Sequence, residues 1–188
     1  MAAKIEIINM ALGYLGAQPV SDVEEKTEQA RQARLFYDAT RDSVLRGFAW
    51  TFALKQWNCA AVKAAPAFKE FKYGCQMPVD CLRFLHAADP RVKCERAGKY
   101  IYSDENPVDI IGVSRIANEE DFDAVFTEVF ALKLACQMSI VLSDDKGLRD
   151  RLRADYEAFV KTAQVKSALE RPVQDYQYDG SWLKARFF

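Results

Sequence analysis

The chain changes from a helical to an extended hydrophobic period within a few residues, and this change most constrains its fold. On the helical side of the changeover, Tyr37, Val44 and Phe48 recur at the spacings of one helical face. After Gly47, Trp50 begins an alternation of large apolar residues with small or polar ones, which is typical of a strand. Residues at this changeover are suited to packing and carry no catalytic group. The sequence therefore predicts a helix that leads directly into a strand.

Two helices are predicted in the first quarter of the chain. The first covers residues 3–16 and carries an apolar stripe that Gly16 is placed to end. The second covers residues 27–48 with Thr27 as its N-cap, and the Ser-x-x-Glu sequence at 21–24 is an alternative capping box. Thr27 is preferred because the residues that follow then continue one helical face.

Two longer helices are predicted towards the carboxyl end. Residues 119–142 become apolar on nearly every side, which is typical of a helix buried in the centre of a domain. Residues 144–170 carry a further apolar stripe, and Ser143 is expected to cap this helix, with acidic residues next to it at the positive end. The short connection predicts a long antiparallel helix pair, against which the first two helices pack.

The stretch between helices two and three is expected to form strands. Phe71, Tyr73 and Cys75 alternate with polar residues, and Ala97-Gly98 is placed at a hairpin turn. Residues 108–113 form the last predicted strand. Hairpin-length connections cannot make parallel crossovers, so the sheet is expected to be antiparallel. The predicted fold class is α+β, mainly α: a helical bundle with a small antiparallel β-sheet inserted between helices two and three.

Composition limits the functional classes. At 188 residues, half of them hydrophobic, the chain is long enough to bury about 70% of its unfolded surface. Its formal charge of -1 argues against a dedicated nucleic-acid binder but is compatible with the wall of a channel through which DNA passes without being bound tightly. No run approaches the roughly 18 apolar residues that cross a bilayer, and the first residues lack a signal-peptide core. We therefore expect a protein made in the cytoplasm that has no membrane partner.

No constellation of catalytic or metal-binding residues is evident in the sequence. The five cysteines include no C-x-x-C pair and are interpreted as free thiols, and a zinc site with His86 would need irregular spacings. The acidic residues at 119–123 and 144–145 lie at predicted helix starts, where the helix dipole favours them. Neither a phosphate-binding glycine loop nor a nucleophile motif occurs. We expect no enzyme, no cofactor and no bound metal.

Four short blocks follow one another along the chain in a recognisable order. Residues 7–20 contain Leu-Gly and then Pro-Val, residues 41–53 contain Arg-Asp-x-x-Leu-Arg and Trp-x-Phe-Ala, residues 77–83 read Met-Pro-x-Asp-Cys-Leu-Arg, and residues 122–126 read Phe-Asp-x-x-Phe. Together they resemble the podovirus head-to-tail adaptor family, also called tail tubular protein A-like proteins. The family commonly has His-Pro or a similar pair before the tryptophan, where this chain has Phe-Ala.

The resemblance implies a structural protein of the virion. Such a protein forms a ring, of twelve copies in the family, that joins the portal protein to the tail and continues the DNA exit channel used in DNA ejection. It also meets the tail nozzle and fibre proteins, while dsDNA passes without sequence-specific binding. The implied location is the head-tail junction of the virion. The alternative is a cytosolic helical protein-interaction or regulatory domain, which would remain a monomer or dimer and would not bind the portal protein.

Two sets of residues are expected to contact partners. The sequence divides into a domain at 1–170 and an aromatic arm at 171–188, which either docks on a partner or folds over its own core. In the family this segment reaches into the portal ring, so the predicted portal-docking residues are Tyr176, Tyr178, Trp182, Arg186, Phe187 and Phe188. Oppositely charged residues on helix two are a second hypothesis, for contacts between subunits, although such pairs more often form a solvated face. They are Arg34, Asp38, Arg41 and Asp42.

Overall fold

A computed structural model describes residues 3–63 and 65–170, and it has the α+β fold expected from the sequence. Two helices come first, six strands follow, and two longer helices end the described part. The helices are α1 (Lys4–Tyr14), α2 (Glu28–Gly47), α3 (Ala124–Leu142) and α4 (Lys146–Leu169); the strands are β1 (Leu54–Cys59), β2 (Tyr73–Gln76), β3 (Cys81–Ala87), β4 (Cys94–Ala97), β5 (Tyr100–Ser103) and β6 (Val108–Ser114).

Helix α3 lies at the centre of the bundle, because α1, α2 and α4 all pack on it. Its side chains at Phe126, Phe130, Leu134 and Met138 are fully buried. By length and composition α3 is also the one helix in the described residues apolar enough to cross a membrane. More than half of that segment is buried inside the protein, so packing against three helices accounts for its composition.

The helix caps confirm one sequence prediction and correct two. Thr27 caps α2, as predicted, by accepting a hydrogen bond from the Ala30 N–H at 3.3 Å. Helix α3 begins later than expected, because Asp123 caps it and residues 119–121 form a separate 3₁₀ turn. Helix α4 is capped by Asp145, which accepts from the Gly147 N–H at 2.8 Å, and Ser143 instead ends α3. In both corrected cases the carboxylate nearest the first turn takes the free N–H groups.

The strands form two three-stranded antiparallel sheets in place of the single sheet expected. The first has the order β1-β6-β3 and the second the order β2-β5-β4. The predicted hairpin at Ala97-Gly98 is confirmed, since β4 and β5 pair on either side of it. Strand β3 was not predicted, and its pairing with β6 is interrupted by two register shifts that break the simple alternation. Of the residues on the predicted apolar face of β2, Cys75 is buried as expected but Tyr73 is exposed, and Gly74 from the opposite face is buried.

The changeover between α2 and the first sheet takes a different form from the predicted one. Residues Thr51–Ala53 form a 3₁₀ turn, and β1 begins only at Leu54. Trp50 explains the delay, because its buried ring points back under α2 and its Nε1–H donates to the Val44 carbonyl at 3.0 Å. The ring also makes edge contacts with Phe48 and Phe126, so the turn is fixed by packing against α3.

Candidate functional site: the helix–sheet junction and the outer helix

A group of paired charges holds α2 against the end of β6. Arg41 is nearly buried and donates to Asp38 at 3.0 Å and to Asp42 at 2.9 Å. The second oxygen of Asp42 accepts from Arg115, which directly follows β6, at 2.8 Å. Carboxylates shared between guanidinium groups form strong charge-assisted hydrogen bonds. Asp42 therefore links helix and sheet.

Asp80 makes the matching link inside the sheet. Its carboxylate accepts from the Lys55 ammonium at 2.7 Å and from the Trp57 indole N–H at 3.0 Å, so it ties the turn before β3 to β1. Its backbone carbonyl accepts from the Arg115 N–H at 2.7 Å. The hydrogen bond from Lys55 lowers the pKa of the Asp80 carboxyl. We call the region of Arg41, Asp42, Trp50, Asp80 and Arg115 the junction.

Further contacts extend the junction towards α1 and α3. The Tyr37 hydroxyl donates to Glu119 at 3.1 Å, and the Lys4 ammonium lies 4.5 Å from the centre of the Tyr37 ring. Burial raises the pKa of the Tyr37 hydroxyl, and the charge of Glu119 raises it further. At the start of the chain Asn9 exchanges two hydrogen bonds of 2.9 Å with the backbone of Val20, which pins the loop after α1. All four sequence blocks thus supply internal hydrogen bonds of the fold, since Asp123 of the fourth block caps α3.

The charged residues proposed for subunit contacts are engaged within the chain. Arg34 donates to the backbone carbonyl groups of Val23 and Glu25, and Arg41 is the buried centre of the junction. Asp42 is also bonded on two sides, whereas the Asp38 side chain is 69% exposed. The predicted contact between subunits through these four residues stays a prediction. The six arm residues predicted to dock on the portal lie outside the described residues.

The remaining candidates from the sequence form no metal site within the described residues. No group of three or more histidine, cysteine or acidic side chains in that part of the chain is arranged to hold an ion. His86 places its Nδ1 2.7 Å from the Ala87 carbonyl, and Asp123 and Asp145 act as helix caps. Cys59, Cys75 and Cys81 are buried. Burial raises the pKa of the Cys75 thiol to about 12, which keeps it protonated and unreactive.

The outer helix α4 has a different character from the junction. Leu152 and Ala163 are its only fully buried residues, although the described part of α4 is 24 residues long. Near its end, Thr51 donates its hydroxyl to the Ser167 carbonyl at 2.7 Å, which fixes α4 to the turn before β1. Two grooves run along its sides against α3. Sequence reasoning missed these grooves, although the recurrence of Lys146, Arg149 and Arg153 along one helical side was a visible signal.

A comparison with protein families gives one match. A family model described as Tail tubular protein matches residues 5–138, which is more than half of the chain. The matched segment includes α1, α2, both sheets and most of α3, and it ends before α4. No curated protein matches the chain significantly.

Proposed function

This chain belongs to the tail tubular protein family, and from this premise we propose that it is the head-to-tail adaptor of a short-tailed bacteriophage. Membership makes it a structural component of the phage virion. The proposed role is more specific: a ring of about twelve copies that joins the portal to the tail and continues the DNA exit channel. The ring size is the one that the family resemblance implies.

The match over residues 5–138 carries this proposal, because it spans the blocks that resemble adaptor proteins. Arg41, Asp42 and Asp80 come from two of those blocks and meet Arg115 in one bonded junction. In this chain the residues of these blocks hold the fold together, which supports a fold of the family's kind. The helical bundle lies on one side of the junction and the small sheets on the other. This arrangement supports the proposal that the chain exposes the same kinds of surface as adaptor proteins.

Ring formation requires two different faces on each subunit, since a head-to-tail contact repeats until the rotation closes. In the proposed assembly the arm at 171–188 binds the portal, and other surfaces meet the nozzle and fibre proteins. The formal charge of -1 supports a channel wall that does not grip passing dsDNA. Any binding of dsDNA is expected to be independent of sequence.

The test is native mass spectrometry of the purified chain, alone and mixed with portal rings from the same phage. We expect a single discrete species in which many copies join one portal ring. If the chain remains monomeric or dimeric and does not bind the portal, the adaptor role is contradicted and a regulatory or interaction domain is favoured.

The arm is tested separately by paired variants. Trp182→Ser with Phe187→Ser removes two aromatic anchors, and we expect it to abolish binding to the portal without changing the melting temperature. Gln174→Ser with Gln177→Ser is the matched control in the same arm and should bind normally. A large fall in melting temperature for the aromatic variant would instead indicate that the arm packs on its own domain.

A further inference from the structure

The two grooves beside α4 are lined mainly by charges of opposite sign. The helix lies on α3, and at 100° per residue Arg149 and Arg153 fall on one side while Asp155 and Thr162 fall on nearly the opposite side. Each side borders a groove against α3. Because α4 is the outermost helix of the bundle, both sides are open to a neighbouring molecule.

The first groove, here called the basic flank, has a volume of about 470 Å³. Its rim carries four basic and two acidic side chains, and Ile140 lines it with 63% of its surface exposed. The Lys133 ammonium lies 4.5 Å from the centre of the Tyr156 ring, which leaves the charge at the rim of the groove. The four basic residues are Lys133, Lys146, Arg149 and Arg153.

The second groove, here called the acidic flank, has a volume of about 390 Å³ and lies between α1, α3 and α4. Its charged residues are Glu128 and Asp155, and no basic residue lines it. Tyr14 contributes an aromatic ring that is 40% exposed. Partial burial raises the pKa of the Tyr14 hydroxyl, and the charge of Glu128 raises it further, so this hydroxyl remains a hydrogen-bond donor.

The charges on both flanks are unpaired, in contrast to those of the junction. Within residues 3–63 and 65–170, none of these six residues forms an ion pair within 4.0 Å, whereas eight ion pairs occur elsewhere in the same part of the chain. Each flank also exposes one large apolar side chain, Ile140 or Tyr14. A charged rim around an exposed apolar group is the usual composition of a protein interface.

We propose that the basic flank of one copy docks on the acidic flank of a second copy. This inference rests on the proposed ring and names the faces that would build it. The two flanks differ in sign and lie on opposite sides of α4, so each contact leaves one basic and one acidic flank free for the next copy. Such heterologous contacts close into a ring when the rotation per subunit permits it.

A DNA duplex is the competing occupant of the basic flank. Exposed Ile140 and the acidic residues Asp150 and Glu157 in the same groove disfavour it, since a phosphate backbone offers nothing apolar and repels carboxylates. The acidic flank, with complementary charge and an exposed aromatic ring, fits the groove better.

Charge reversal on each flank tests the proposal. Arg149→Glu with Arg153→Glu makes both flanks acidic, and Glu128→Lys with Asp155→Lys makes both flanks basic. Either variant alone should assemble on portal rings at least about tenfold more weakly than the natural chain. When the two variants are mixed in equal amounts, assembly should recover, because each flank again meets a flank of opposite charge. The two variants should alternate around the ring, and native mass spectrometry should show equal numbers of each. Lys63→Glu with Lys93→Glu changes two exposed charges that line neither groove and should assemble normally.

The possible failures are distinguishable. If the natural chain forms no species with or without portals, the proposed adaptor role fails. If it assembles and both flank variants assemble equally well, the role stands and the assigned faces are wrong. If the Arg149→Glu and Arg153→Glu variant loses only DNA binding, measured by electrophoretic shift, the basic flank is a DNA surface. Circular dichroism melts confirm that each variant folds.

Discussion

The junction and the outer helix α4 use polar residues in opposite ways. At the junction Arg41, Asp42 and Asp80 are bonded to partners in the same chain, and Trp50 is buried beside them. Along α4 the charges of both flanks are without ion-pair partners among the described residues, and few side chains are buried. The family match covers the junction and stops before α4. Family membership is therefore carried by residues that hold the fold, while the proposed contacts between copies lie where α4, which the match leaves out, meets α1 and α3.

Replacing Trp50 with alanine should give the largest loss of stability. Trp50 is 1% exposed, and its ring contacts two phenylalanines and donates to the Val44 carbonyl. Removal of a buried indole should cost about 3–5 kcal/mol in the free energy of unfolding. Urea unfolding followed by circular dichroism measures this loss. On α4, Leu169→Ala removes a side chain that is 79% exposed and should change stability by less than about 0.5 kcal/mol. Equal losses in the two variants would remove the contrast between the regions.

Replacing Arg41 with methionine should cost less than the loss of Trp50 but more than the loss of a surface charge. Methionine keeps much of the apolar stem and removes the charge that Asp38 and Asp42 share. Because the Arg41 side chain is only 9% exposed, we expect a loss of about 1.5–3 kcal/mol. Arg31→Met is the matched control, since the side chains of its pair with Glu28 are 69% and 44% exposed and solvent screens their attraction, so the loss should be much smaller. Similar unfolding curves for the two variants would show that burial of the junction charges is unimportant.

The sequence predicts the parts of this contrast that local pattern determines. The continuous apolar surface of α3 and the cap of α2 are properties of neighbouring residues, and both predictions are confirmed. The division into two sheets depends on β6 pairing with two strands that lie far from it in sequence. Trp50 leaves the strand pattern because its indole finds a tertiary partner at Val44. Interface residues are harder still to predict, since their role depends on the surface of another molecule.

The same glycine-to-alanine change should have opposite signs at two positions. In β6 a Cβ on Gly112 would lie 2.6 Å from the Arg83 carbonyl oxygen and 3.0 Å from the Cys81 sulfur. The backbone oxygen cannot move aside without displacing β3, so Gly112→Ala should cost about 1–3 kcal/mol. In α1 a Cβ on Gly13 would meet nothing within 4 Å, and Gly13→Ala should stabilise the protein by about 0.5–1 kcal/mol. Thermal melts of the two variants should therefore shift in opposite directions.

Replacing Thr51 with valine tests the hydrogen bonds that join α4 to the turn directly after Trp50 of the junction. Thr51 donates its hydroxyl to the Ser167 carbonyl at 2.7 Å, and its backbone N–H donates to the Ser167 hydroxyl at 3.2 Å. Valine keeps the shape and removes the first bond, at a cost of about 0.5–1.5 kcal/mol. We expect hydrogen exchange to become faster in the last turns of α4 while Trp50 stays protected. Faster exchange throughout the junction would show that the two regions unfold as one unit.

Asp80→Asn should cause the smallest loss of stability. It tests whether the contribution of a junction residue depends on its solvent exposure or on its position in the junction. Asp80 belongs to the junction, but its side chain is 43% exposed and that of its partner Lys55 is 50% exposed, so solvent screening should limit the loss at neutral pH to about 0.2–1 kcal/mol. The hydrogen bond from Lys55 lowers the folded-state pKa of Asp80. The ionised carboxylate therefore stabilises the fold above its unfolded pKa of about 3.9, and this contribution is lost as the pH falls through the folded-state value. Urea midpoints of the natural chain and the variant should differ at pH 7 and converge as the pH falls below the lowered folded-state pKa of Asp80. A difference that persists in acid would mean that Asp80 acts through shape and neutral hydrogen bonds, and that charge pairing at the junction is confined to the ion pairs of Arg41 and Arg115.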